Sequence, residues 1–203
     1  DSTSCIVRHW REWSKIQDLD LASVLAAAHG MRTIETMRTV APHLDVAAEA
    51  ACFTAHEVAD TVGVTAIPGA EALLSSLPPD AWAIVTSAGK ALAKARLRQA
   101  GLPIPRVIVS ADDVARGKPN PEPYLTGARR AGSPPDRCVV LEDAPAGVTA
   151  GRSAGMRVIG IGATHSREAL FKAGVEAIQT GATEDAVDDF ELLADRGVRH
   201  PDI

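Results

Sequence analysis

Aromatic residues are scarce in this chain: three Trp, three Phe and one Tyr account for 3% of its 203 residues. Ala, Val, Leu and Ile must therefore fill the interior. The overall shares, 46% hydrophobic and 23% charged, are ordinary for a globular protein. Cysteine is also sparse. Cys5, Cys52 and Cys138 are odd in number and irregular in spacing, which excludes a disulfide framework and predicts three small buried hydrophobes in a reducing compartment. No apolar run approaches the ~20 residues of a membrane span, and no secretory pattern opens the chain. A basic run is missing too, and the net charge of -5 with pI near 5.7 argues against nucleic acid and membrane partners. These absences predict a cytoplasmic protein. Repeats and low-complexity tracts are absent, and the first residue is Asp1 with no Met before it.

What is present falls into two halves. Residues 1–65 show helical spacing only: Ile6, Trp10 and Trp13, then Leu21, Val24, Leu25 and Ala28, then Ile34, Met37 and Val40. Gly30 and Pro42 break this series, and a fourth helix is predicted over 47–62. From residue 66 onward, short apolar runs alternate with amphipathic stretches. The runs cover 81–85, 107–109, 138–141 and 157–161, with a weaker one at 175–178. The stretches cover 89–100, 121–131, 144–154, 166–173 and 183–195. Continuous Val/Ile runs separated by helices predict a parallel sheet buried on both faces. The reading is an α/β, Rossmann-like core over 66–203 preceded by a helical cap over 1–65, with a hinge near 65–69.

Ligands of such sheets sit beyond the carboxyl ends of the strands. After the third long run stand Glu142 and Asp143, adjacent carboxylates that repel unless a cation or donors compensate them. They suit Mg²⁺, a hard ion that prefers oxygen. Alternatively, Asp143 caps the helix opening at Pro145. After Val85 come Thr86 and Ser87, whose hydroxyls and backbone N–H groups at a helix start make either a phosphate cradle or an ordinary N-cap. Lys118, fixed between Gly117 and Pro119, is either a placed positive charge for an anion or a solvated loop lysine. The order of these signals along one sheet edge carries more than any one of them. Gly160-Ile161-Gly162 lacks the further glycines of a dinucleotide-binding turn.

Together, Trp82-Ala83-Ile84-Val85-Thr86-Ser87, Gly117-Lys118-Pro119-Asn120-Pro121-Glu122-Pro123-Tyr124 and Glu142-Asp143-Ala144-Pro145-Ala146-Gly147 resemble the haloacid dehalogenase superfamily of phosphatases with a helical cap. The branch they resemble contains bacterial sugar phosphatases and fungal glycerol-phosphate and 2-deoxyglucose-6-phosphate phosphatases. His29-Gly30-Met31-Arg32-Thr33 is similar to the same branch. The resemblance implies an Mg²⁺-dependent phosphatase of small sugar or polyol phosphates that works through an aspartyl-phosphate. It implies that Asp143 and Glu142 serve the metal, that Lys118 and Thr86 act on the phosphoryl group, and that Ser87 and Ser2 bind it. Arg32 and His29 become substrate contacts from the cap. His9 and His56 are expected to be solvated helix residues, and Trp10 and Trp13 cap core.

The chain departs from the family pattern at its start. Asp1-Ser2 resemble the last two residues of the family's first motif, an apolar strand ending Asp-x-Asp-Gly-Thr/Val-Leu-Val-Asp-Ser. The nucleophile and the acid/base aspartate are thus expected upstream, in roughly ten further residues of the natural protein. Asp112-Asp113 and Asp188-Asp189 cannot replace them, since they follow different elements and lack the glycine turn. The chain as printed is expected to be inert, with a sheet lacking its first, central strand and an apolar trough in its place. A phosphomutase of the same fold and a non-catalytic phosphate- or partner-binding module are the competing expectations. The oligomeric expectation is a monomer or weak dimer.

Overall fold

The computed structural model describes residues 1–28 and 30–179. His29, Asp188, Asp189 and the helix predicted over 183–195 lie outside the described residues.

The first half is helical, as its spacing predicts: α1 (Thr3–Ile16), α2 (Leu21–Ala28), α3 (Thr33–Val40) and α4 (Val46–Ala59). Gly30, at φ 75°, turns the chain between α2 and α3. Asp45 caps α4 by accepting from the Ala48 N–H. Trp10, Trp13, Val24, Met37 and Phe53 pack into one cluster, with the Trp10 and Phe53 rings 4.3 Å apart. Three of the chain's seven aromatics thus pack in the cap interior. Two expectations are corrected here. His9 is buried, not solvated, because α1 turns it inward beside Phe53, where its Nε2 lies 3.1 Å from the Asp60 carbonyl. Cys52 is exposed, because Ala50, Phe53 and Glu57 take the inward face of α4 and leave it on the other side. Cys5 is buried and Cys138 partly so.

The second half begins with α5 (Ala70–Ser76), which the apolar pattern does not predict. At seven residues it is too short to show a period, and it buries only Ala70 and Leu73 against Ile67, Leu77 and Leu102. The alternation then follows: β1 (Ala83–Val85), α6 (Lys90–Gln99), β2 (Val107–Val109), α7 (Glu122–Ala131), β3 (Val139–Glu142), α8 (Pro145–Ser153), β4 (Arg157–Ile161), α9 (Arg167–Ala173) and β5 (Ala177–Gln179). The last strand starts two residues later than predicted. Val175 donates its N–H to Leu170 at the end of α9 and so belongs to the helix closure.

Every strand pair is parallel. β1 pairs with β2, and β3 pairs with β4, which pairs with β5. Among the described residues β1 and β3 do not pair with each other, so the sheet is split. A cavity of about 580 Å³ opens at the split, lined by Ile84 of β1, Leu141 of β3 and Ile161 of β4. Leu141 is accordingly 39% exposed although it sits within a strand. The cavity runs on toward the strand ends where the polar motifs stand. Asp1 and Thr65 exchange backbone hydrogen bonds, so the cap begins and ends side by side at the margin of this cavity.

Candidate active site

The carboxyl ends of β1 and β3 and the loop before α7 bring Thr86, Ser87, Lys118, Glu142 and Asp143 to one cavity, and α1 delivers Ser2 to the same wall. Glu142 is the last residue of β3 and is buried. Its Oε1 accepts from the Lys118 ammonium and, at 2.7 Å, from the Tyr124 hydroxyl. Its Oε2 accepts from the N–H groups of Asp143 and Ala144 at 3.1 and 3.2 Å. Burial opposes charge on this carboxyl, but Lys118 and then Tyr124 outweigh it and hold the group below the usual glutamate range. The Tyr124 hydroxyl is pushed well up by burial and by the neighbouring Glu142 charge, so it stays a neutral donor.

Lys118 is also buried. It donates to the Val85 carbonyl at 3.3 Å, and its ammonium stands 5.1 Å from the centre of the Tyr124 ring. It is no solvated loop lysine. The peptide bond between Lys118 and Pro119 is cis. Thr86 lies at the end of β1, and its N–H continues the ladder to the Val109 carbonyl while its hydroxyl accepts from the Ala88 N–H at 3.1 Å. The Ser87 hydroxyl donates to the Gly30 carbonyl at 2.9 Å, a bond from core to cap.

Asp143 does not cap α8. The residue at that N-cap is Ala144, and Asp143 Oδ2 accepts instead from the Thr164 hydroxyl at 2.8 Å. Burial and then the adjacent Glu142 charge raise its pKa, while the Thr164 bond lowers it only in part. An incompletely compensated carboxylate facing a cavity is a fit for a cation. The donors around it are oxygens, and Mg²⁺ is commonly held by one or two carboxylates together with waters and substrate phosphate. Among the described residues no group of three or more His, Cys, Asp or Glu forms a cage for a metal ion. The described side of the site thus offers Asp143 as its available carboxylate, because both oxygens of Glu142 are committed inside the protein.

Arg32 is the cap residue that the resemblance names as a substrate contact. It sits at the seam between cap and core, bonded to Glu35 and, at 3.3 Å, to the Ala115 carbonyl. Its side chain lies across Gly117, where an added Cβ would meet Nε at 3.0 Å. It does not line the cavity, whereas its neighbours Gly30, Met31 and Thr33 do. The adjacent His29 is outside the described residues. Three residues of the site carry no role in the sequence reading: Tyr124, Gly147 and Thr164. The first two stand inside quoted motifs. The third follows the strand 157–161, whose end bears no carboxylate or lysine to mark it.

The haloacid dehalogenase-like hydrolase family model matches residues 9–155. Hexitol phosphatase A of Escherichia coli (strain K12) is 45% identical over 168 residues, covering 80% of this chain and 78% of its own. Glycerol-1-phosphate phosphohydrolase 2 of Saccharomyces cerevisiae is 33% identical, covering 96% of this chain and 85% of its own. Among solved structures, a hydrolase from Pseudomonas syringae superposes with a TM-score of 0.78 at 24% identity, covering 93% of this chain and 91% of that one. CbbY from Rhodobacter sphaeroides, in complex with xylulose-(1,5)bisphosphate, gives 0.73 at 24% identity, covering 91% and 90%. At that identity the two structures attest the fold alone. The fold is that of an α/β hydrolase with a helical cap. The chain belongs to the haloacid dehalogenase-like hydrolases and is a phosphoric monoester hydrolase of that family.

Proposed function

We propose that this chain forms the phosphate- and metal-binding side of an Mg²⁺-dependent phosphatase of small sugar or polyol phosphates, working through an aspartyl-phosphate. The observation that carries the reading is the pairing of two unlike carboxylates at the end of β3. Glu142 is neutralised by Lys118 and Tyr124, and Asp143 is left undercompensated at the cavity. Bound there, Mg²⁺ would supply charge compensation between an anionic attacker and an anionic ester. Asp143 would hold it.

The remaining work falls to the chain's own groups. Glu142 fixes the Lys118 ammonium, which supplies a placed positive charge for a phosphoryl oxygen. Thr86 and the Ser87 N–H offer hydrogen bonds to the other phosphoryl oxygens, and Ser2 lies on the same wall. In the overall scheme a carboxylate oxygen bonds to phosphorus as the P–O bond to the alcohol breaks, and the leaving oxygen takes up a proton. Water then cleaves the acyl phosphate and releases inorganic phosphate. By the family resemblance the attacking carboxylate belongs to an Asp-x-Asp motif. Substrate preference for polyols and sugars is supported by relatives named for hexitol and glycerol phosphates. Gly30, Met31 and Thr33 of the cap line the cavity, where they would exclude water and select the leaving group.

The test is phosphate release from hexitol, glycerol and deoxyhexose phosphates, with and without Mg²⁺. It is run on the chain as printed and on the chain preceded by that motif. The extended form is expected to release phosphate only with Mg²⁺, and the printed chain to release none. Silence of the extended form on every ester would overturn the reading, and isomerised sugar phosphate in place of free phosphate would redirect it to a mutase.

A further inference from the structure

The Asp143 carboxylate is held by a residue from a different strand end. β4 ends at Ile161, and the loop that follows is pinned. Gly162 donates to the Gln179 carbonyl at 2.8 Å, and the Ala163 N–H lies 2.9 Å from the Ile161 carbonyl. Ser166 then caps α9 by accepting from the Ala169 N–H. Between these fixed points the Thr164 hydroxyl lies 2.8 Å from Asp143 Oδ2, 3.0 Å from the Asp143 carbonyl and 2.9 Å from His165 Nδ1. His165 Nδ1 is itself 3.0 Å from that carbonyl. A carbonyl can only accept, so the self-consistent arrangement has Nδ1–H donating toward it. The single proton of the Thr164 hydroxyl then favours Oδ2, which is the nearer acceptor and carries the charge.

We propose that Thr164 is a positioning residue that fixes the rotation of the Asp143 carboxylate for a divalent cation, with His165 setting the direction of its hydroxyl. The inference rests on the Mg²⁺ reading of Asp143. A carboxylate rotates about its Cβ–Cγ bond unless one oxygen is held. Thr164 holds Oδ2, so the carboxylate is oriented before a cation arrives. Outer hydrogen bonds of this kind commonly govern affinity by about 10–100-fold.

The experiment measures binding and needs no turnover. Free Mn²⁺, used in place of Mg²⁺, is followed by its electron paramagnetic resonance signal on titration into the whole chain. The proteins are wild type, Thr164→Val, Thr164→Ala and Thr164→Ser, with Asp143→Asn as the reference for a lost ligand. Loss of the hydroxyl in Val and Ala is expected to weaken Mn²⁺ binding about tenfold. Ser, which restores the hydroxyl without the methyl, is expected to retain wild-type affinity. Two hydroxyl-free side chains of different shape separate the missing bond from any misfit in the loop. Equal affinity in wild type, Val and Ala overturns the inference, as does a Ser variant as weak as both. Wild type that binds Mn²⁺ no better than Asp143→Asn overturns the metal reading itself, and the inference with it.

Discussion

A Cβ built on Gly147 would stand 2.0 Å from the Glu142 carboxyl carbon, so α8 can run past that buried charge only with a hydrogen at this position. The residue is thus part of the electrostatic arrangement although it bears no functional group. It allows the carboxylate to lie against the first turn of the helix and to receive the Asp143 and Ala144 N–H groups. Gly147→Ala is expected to push Glu142 off Lys118 and Tyr124, costing more than the roughly 1–3 kcal/mol of ordinary overpacking. Urea denaturation measures this. Thr149→Ala, further along the helix at an exposed position, is the control. A Gly147→Ala variant as stable as wild type would mean that Glu142 does not depend on this approach. At this scale the sequence is legible where chemistry follows a strand directly. Thr86, Lys118 and Asp143 can be picked out because a buried Val/Ile run ends just before two of them and a rigid Gly-Lys-Pro loop holds the third. The partnership of Glu142 with Tyr124 cannot be read, since its two members are 18 residues apart and meet only in space.

Elements show the same division between local and long-range information. The strands of the core announce themselves by continuous apolar runs, and the cap helices by spacing. α5 is silent because seven residues with two buried positions show no period. The orientation of His9 is not legible because an imidazole has no intrinsic side preference on a helix. Only the packing of α1 on α4 and the Asp60 carbonyl decide it. The turn after β2 offers a prediction at this scale. Ser110 and Asp113 close a one-turn 3-10 helix, where Asp113 Oδ2 accepts from the Ser110 hydroxyl at 2.7 Å and from its N–H at 2.9 Å. Arg130 of α7 adds an ion pair at 2.8 Å. The Ser110 hydroxyl first, then its backbone N–H and the Arg130 charge, hold the Asp113 carboxyl far below the usual aspartate range. A depressed carboxyl contributes stability that is present above its unfolded pKa and is lost as pH falls below about 4 toward its folded value. Melting temperatures of wild type and Asp113→Asn, taken from pH 7 down to 2, are therefore expected to converge in acid. A constant gap across that range would refute the assignment.

Across the whole molecule, the cap and the core meet through few polar contacts, and one of them is buried. Glu57 of α4 accepts from Arg96 of α6 at 2.8 Å, with only 5% of the Glu57 side chain exposed. Burial pushes the Glu57 carboxyl up even though Arg96 pulls it down. Arg96→Met leaves that carboxylate without its cation, at an expected cost of about 3 kcal/mol near neutral pH. A raised carboxyl is least costly when protonated, so the variant should regain stability as pH falls from about 7.5 to 5. Scanning calorimetry at both pH values checks this, and it also shows whether cap and core, joined less firmly, melt in two steps. A variant that is pH-insensitive and melts like wild type would exclude the pair as a fastener.

The backbone pairing of Asp1 with Thr65 has a bearing on how such enzymes diversify. Because the helical half enters and leaves at one point, and encloses its own Trp10–Trp13–Phe53 interior, it is joined to the catalytic half as a graft is joined to a stock. A different bundle with the same two ends can take its place without disturbing the sheet.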